Sequence, residues 1–138
     1  MMFKKYFTPQ EANQRLPLVK QIVGDILARA RAAKDLVASG VGPSNRKQHE
    51  KLLREVEDLI EELQDLGCFY KDWNFEHGLV DFPAKIDGKE VLLCWRSDEA
   101  DVCWYHSIED GFPGRCRIPE HFLLDLEKFV KVDPTKTV

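Results

Sequence analysis

The chain has 138 residues, with 20 Lys and Arg against 24 Asp and Glu and a net charge of -4. That length suits one domain over 1–138 with a modest core, and the charge argues against nucleic acid or an anionic membrane as the main partner. No apolar run reaches bilayer length and no leader-like pattern opens the chain, so the expected compartment is the cytoplasm, with no membrane association.

Thr8-Pro9-Gln10-Glu11 reads as a helix start, with a Thr N-cap, Pro at the first helical position and Glu closing a capping box. From there Leu16, Val19, Val23, Ile26, Ala30, Ala33 and Val37 recur at alternating spacings of three and four, which draws one apolar seam along one helix face. Pro17 removes a backbone hydrogen bond inside this helix and predicts a local kink or loosening. Gly40 to Ser44 breaks the pattern, and Ser44 or Asn45 is placed to cap a second helix whose seam is Leu52, Val56, Leu59, Leu63 and Leu66.

Folding the chain back at that turn sets residues whose numbers sum to about 82 face to face: Leu16/Leu66, Val19/Leu63, Val23/Leu59, Ile26/Val56 and Ala30/Leu52. Residues 8–66 are therefore expected to form a long antiparallel helical hairpin, coiled-coil-like in its packing. It is electrically polarised. Residues 29–54 hold seven basic and two acidic side chains, and residues 55–65 hold six acidic and none basic. Such runs are usually solvated faces, but a basic tip can also dock an acidic partner or a second hairpin.

Gly67 ends the second helix, and alternating segments follow around Val80, Val91 and Val102. Asp87-Gly88 is a two-residue hairpin signal that sets Val80 opposite Trp95, Phe82 opposite Leu93 and Ala84 opposite Val91. A second tight turn at Ser97–Ala100 would set Trp95 opposite Val102, Leu93 opposite Trp104 and Val91 opposite His106. The expected product is a three-stranded antiparallel β-meander over 78–106, with Val80, Phe82, Leu93, Trp95, Trp104 and His106 on the core face. Asp81, Cys94, Arg96, Asp101 and Cys103 then share the other face, with Arg96 across from Asp101 and Cys94 beside Cys103. A last helix is expected over 119–132, with Phe122, Leu123, Leu126 and Phe129 as its apolar stripe, and the fold class is α+β.

Polar chemistry is densest from His106 to Arg117, where a His, the carboxylates Glu109 and Asp110, Arg115, Arg117 and two Gly fall in one turn-rich segment. His beside acids can ligate a metal or serve as a general base, and Arg next to Gly can hold a carboxylate or phosphate. Fewer than three metal ligands are assured there, and a strand-end His is often only a hydrogen-bonded core residue. Seven extended residues, at about 3.3 Å each, set Glu99 roughly 23 Å from His106, at the opposite end of the sheet. The four cysteines, Cys68, Cys94, Cys103 and Cys116, form no C-x-x-C pair, which disfavours a zinc ribbon or thioredoxin-like motif. Reduced thiols are the expectation, including at Cys94 and Cys103.

Several segments together resemble a small prokaryotic family, domain of unknown function 2203. They are Tyr6-Phe7-Thr8-Pro9-Gln10-Glu11-Ala12-Asn13 with Leu16-Pro17, Gly78-Leu79-Val80-Asp81-Phe82-Pro83, Leu93-Cys94-Trp95-Arg96, and the stretch from Glu99 through His106 to Gly111-Phe112-x-Gly114-Arg115. The resemblance runs from about residue 6 to 117. Members are sometimes labelled division-initiation-like, a label that reflects coiled-coil similarity. The resemblance implies no activity, but it directs attention to Asp81, Trp95, Glu99, His106, Gly111, Gly114 and Arg115. This chain departs from the family pattern at Asp98, where Gly is usual, at Cys103, where a basic residue is common, and at Glu109 with Asp110 added.

Two readings of function follow. In the first, the hairpin is a protein-interaction or self-association module, with a homodimer or another protein as partner. In the second, His106, Glu109, Asp110 and Arg115 form a site for a small molecule, anion or metal at the end of the third strand, with Asp81, Glu99 and Trp95 as secondary members. The sequence names no cofactor and no reaction.

Overall fold

A computed structural model describes residues 2–40 and 42–123. Helix α1 spans Pro9–Ser39 and α2 spans Pro43–Leu66. The Thr8 hydroxyl accepts from the Glu11 N–H and the Glu11 carboxylate accepts from the Thr8 N–H, each at 3.0 Å, so the capping box forms as expected. α1 runs unbroken through Pro17. The second helix is capped two residues before Ser44, the earlier of the expected caps: Gly42 is its N-cap and Pro43 its first residue, while the Asn45 side chain donates back to the Gly40 carbonyl at 3.0 Å.

The seam residues form the buried faces of the two helices. Leu16, Val19, Val23, Ile26 and Ala30 on α1 and Leu52, Val56 and Leu63 on α2 are all buried. Arg29 Nε donates to Glu55 across the pair at 3.1 Å. Val37, at the tip end of the seam, is 62% exposed.

The sheet has five antiparallel strands in chain order, not three: β1 (Phe69–Tyr70), β2 (Leu79–Ile86), β3 (Lys89–Arg96), β4 (Trp104–Ser107) and β5 (Cys116–Arg117). The β2–β3 hairpin has the expected pairs, Val80 with Trp95, Phe82 with Leu93 and Ala84 with Val91. Asp87 and Gly88 both carry positive φ, 51° and 80°, as that turn requires. Pro83, which has no N–H, sits where β1 no longer covers β2, and its carbonyl accepts from Phe7 N at 2.7 Å. The core face of β2 and β3 packs with the buried stripe of α1 in one cluster. Gly78 marks the closeness of that packing, because a Cβ there would stand 2.6 Å from a Val23 methyl.

The β3–β4 register corrects the sequence expectation by one residue. Leu92 pairs with His106, Leu93 with Tyr105 and Cys94 with Trp104. A slip of one turns every side chain of the strand to the other face. Trp104 and His106 therefore leave the core face and join Asp81 and Cys94 on the outer one, while Tyr105 turns to the core.

The physical reason is that residues 97–103 make a wide loop held by side chains, not a tight turn. Glu99 accepts from Trp95 Nε1 through its carbonyl and from Arg96 N through its carboxylate, each at 2.9 Å. Asn13 of α1 clamps the backbone of buried Val102, accepting its N–H at 2.8 Å and donating to its carbonyl at 3.2 Å. Arg96 consequently pairs with Asp98 at 2.8 Å and not with Asp101. All four cysteines are free, and the ladder partner of Cys94 is Trp104, not Cys103.

Residues 120–123 are helical, with Phe122 and Leu123 against the core; the rest of the helix expected over 119–132 lies outside the described residues. Among the described residues, no helix is long and apolar enough to cross a membrane.

Candidate functional site

Three neighbouring strands each bring one polar side chain to the same outer face. Asp81 on β2 lies directly opposite Cys94 on β3, and His106 on β4 lies diagonal to Cys94, two residues along from its ladder partner Trp104. One ligating atom from each residue falls within 4.8 Å of the other two, and all three residues are buried. His106 Nε2 faces both Asp81 oxygens at 3.2 Å, with the two side chains 3% and 4% exposed. Its Nδ1 faces the Ser107 carbonyl at 2.7 Å.

Those partners decide the protonation of the ring. A carbonyl can only accept, so Nδ1 carries a proton, and Nε2 is aimed at the two Asp81 oxygens. Burial opposes a charged imidazole, but the Asp81 carboxylate, Cys94 and the Ser107 carbonyl outweigh it and lift the His106 pKa to about 10. His106 and Asp81 are a buried ion pair, and each ring nitrogen of His106 has its own acceptor.

Residues after β4 fold over this face. A 3-10 turn at Phe112–Gly114 carries Phe112, and the Arg115 guanidinium lies 4.4 Å from that ring and 4.7 Å from Trp104. The same guanidinium forms a two-pronged pair with Glu99, Nη1 to Oε1 at 3.1 Å and Nη2 to Oε2. Its Nη1 also stands 4.0 Å from Cys94 Sγ. Gly114 permits the tight return of the chain, since a Cβ there would meet that of Asp110 at 2.6 Å. Between this cover and the sheet lies a cavity of about 260 Å³, with Asp81, Cys94, His106 and Leu92 at its floor and Lys71, Ile108 and Phe112 around it.

The residues singled out by sequence divide sharply. His106 and Asp81 meet in the cavity. Arg115 reaches its edge through Cys94, but the carboxylate it holds is the protein's own Glu99. Glu99 meets Arg115 because the chain turns back after β4 into the antiparallel β5, and the Arg115 side chain reaches along the sheet to it. Trp95 is a core residue that fixes the Glu99 carbonyl. Glu109 and Asp110 are exposed in the turn and do not line the cavity. Cys94 and Lys71 are members that the sequence reading left out; the pairing of Cys94 with Asp81 was already implied by the Asp87-Gly88 hairpin.

A second surface lies at the hairpin tip. Ala33, Val37 and Leu53 line a groove of about 280 Å³ beside Lys34 and Phe75, with Val37 and Leu53 exposed and Trp73 exposed nearby.

Residues 5–118 match the sequence pattern of a family described as an uncharacterized conserved protein, DUF2203. No curated protein and no solved structure matches the chain.

Proposed function

The chain belongs to the DUF2203 family of uncharacterized conserved proteins, and for this member we propose a small-molecule-binding role, with the cavity over the outer sheet face as its site. The observation that carries the reading is the doubly held imidazole of His106 at the floor of that cavity. A fixed polar group beside apolar walls, here Leu79, Leu92, Ile108 and Phe112, is the arrangement by which ligand sites orient what they bind. The volume suits a compound of metabolite size, and Lys71 at the rim favours a ligand with negative charge. A reducing cytoplasm is the compartment this reading implies, since Cys94 is a free thiol at the site.

Thermal shift against a panel of small carboxylates, phosphate esters and nucleosides tests the reading. A binder raises Tm in the wild type and fails to do so in Ile108→Trp, which fills the cavity from its lip. Equal shifts in both proteins, or none across the panel, refute it.

The hairpin tip favours a second reading, self-association. Its exposed Val37 and Leu53 lie in a basic region, and residues 55–65 of another copy offer an acidic counterpart. A head-to-tail pair would join the two, and its assembly would weaken as salt rises. Sedimentation at low and high salt, with Leu53→Glu as the disrupting variant, checks this, and a salt-insensitive monomer rules it out.

A further inference from the structure

The donor atoms of Asp81, Cys94 and His106 are one oxygen, one sulfur and one nitrogen, mutually within 4.8 Å. Around a tetrahedral zinc ion, bonds of about 2.0–2.3 Å separate the donors by roughly 3.3–3.7 Å. Side-chain rotations that draw the three inward by about 1 Å would therefore complete such a centre.

The second shell is already that of a metal-bound imidazole. Ser107 takes the Nδ1 proton at 2.7 Å, which orients the ring and leaves Nε2 as the ligating nitrogen, and Nε2 points at Asp81. The charge also matches. A carboxylate and a thiolate neutralise a divalent ion without help, and the neighbouring Arg115 is matched by Glu99. The mixed donor set excludes calcium and magnesium, which take oxygen, and suits zinc or cobalt.

We propose that Asp81, Cys94 and His106 bind a divalent late first-row transition metal of the zinc type, with the fourth coordination position turned to the cavity. A closed structural site has four protein ligands, and an open position beside a cavity is the arrangement of sites where zinc holds water or a ligand. The inference rests on the small-molecule reading of the same cavity and names what the ligand would engage.

The test uses the full chain, reduced and stripped with chelator, then titrated with cobalt(II). The expected result is a sulfur-to-cobalt charge-transfer band with visible bands of tetrahedral intensity, lost on adding zinc(II). Cys94→Ser loses the charge-transfer band, and His106→Gln weakens binding by more than the roughly 10–100-fold that an outer-shell partner contributes. Cys116→Ser, which removes an exposed thiol, leaves the titration unchanged.

Because a core variant can fail to fold and Cys94 is itself buried, zinc protection of Cys94 from alkylation is measured in the wild type by mass spectrometry at a urea concentration that opens the metal-free chain. Absence of cobalt binding, a spectrum without the sulfur band, or unprotected Cys94 overturns the proposal. If panel compounds still shift the wild type and not Ile108→Trp, the metal inference alone has failed. If metal binds with the sulfur band and no compound shifts, only the small-molecule reading has failed.

Discussion

Replacing Asp72 should unhinge the rim of the cavity. Its carboxylate accepts four backbone N–H groups in the loop before β2: Asn74 at 3.1 Å on Oδ1, and Glu76 at 2.8 Å, His77 at 2.7 Å and Gly78 at 3.0 Å on Oδ2. The loop needs this hold, because Phe75 adopts a left-handed φ of 56°, uncommon for a bulky residue. Lys71 donates to the Leu79 carbonyl at 2.8 Å as the loop closes, so its order sets one wall of the cavity.

In Asp72→Ala, the exposed Asn74, Glu76 and His77 donors regain water and lose only a modest net bond each, while buried Gly78 loses its acceptor outright. The sum is about 3 kcal/mol, or roughly 10 °C in Tm for a domain of this size. Burial pulls the carboxyl up, but the four N–H donors outweigh it and hold its pKa below the ordinary value. Its stabilisation is therefore complete above the unfolded pKa of about 3.9 and lost as pH falls through the lower folded value. Urea unfolding of wild type and Asp72→Asn at pH 7 and pH 3 checks the sign: the gap between them should narrow in acid. A gap that stays constant, or an Asp72→Ala cost below about 0.5 kcal/mol, would refute the reasoning.

Asn13→Ala removes both hydrogen bonds to buried Val102 and should cost about 2–3 kcal/mol in chemical denaturation, with Asn13→Asp intermediate because it keeps the acceptor. Arg115→Ala leaves the half-buried Glu99 carboxylate without its guanidinium and should cost about 2–3 kcal/mol. The Glu99→Ala/Arg115→Ala double variant should recover part of that loss in a double-mutant cycle, and limited proteolysis should find the single variant cut faster within 108–115. Alkylation mapped by mass spectrometry should label exposed Cys116 first. Cys68, whose thiol burial pushes up to about 12, should react only on unfolding.

Sequence pattern carried the helices and the β2–β3 hairpin, because each has a local cause that recurs along the chain: seams at spacings of three and four, and a two-residue turn with positive φ at both positions. It did not carry β1 and β5, since two residues are too few for a period of two to register. Nor did it carry the β3–β4 register. Ser97-Asp98-Glu99-Ala100 has the polarity of a tight turn, yet Asp98 pairs with Arg96 and Glu99 with Arg115, and the register is set by Asn13, distant in sequence. The Asp72 cradle follows no motif at all. It depends on the path of the loop around one carboxylate.

The one-residue difference is also where the chemistry arises. In the register expected from a tight turn, His106 would lie on the core face among Leu93, Val91 and the α1 stripe, and Asp81 and Cys94 would face outward without a base. In the observed register all three are enclosed together under a thin cover of turn and 3-10 helix. Stability does not call for that enclosure. A buried ion pair is commonly matched or exceeded by apolar side chains of similar volume, which cost no desolvation. Leu92 and Pro83, on the same face, show that this surface accommodates apolar residues. A charged pair and a thiol held at one point beneath a cavity, where Leu or Val would pack as well, argue for a site kept for what it binds.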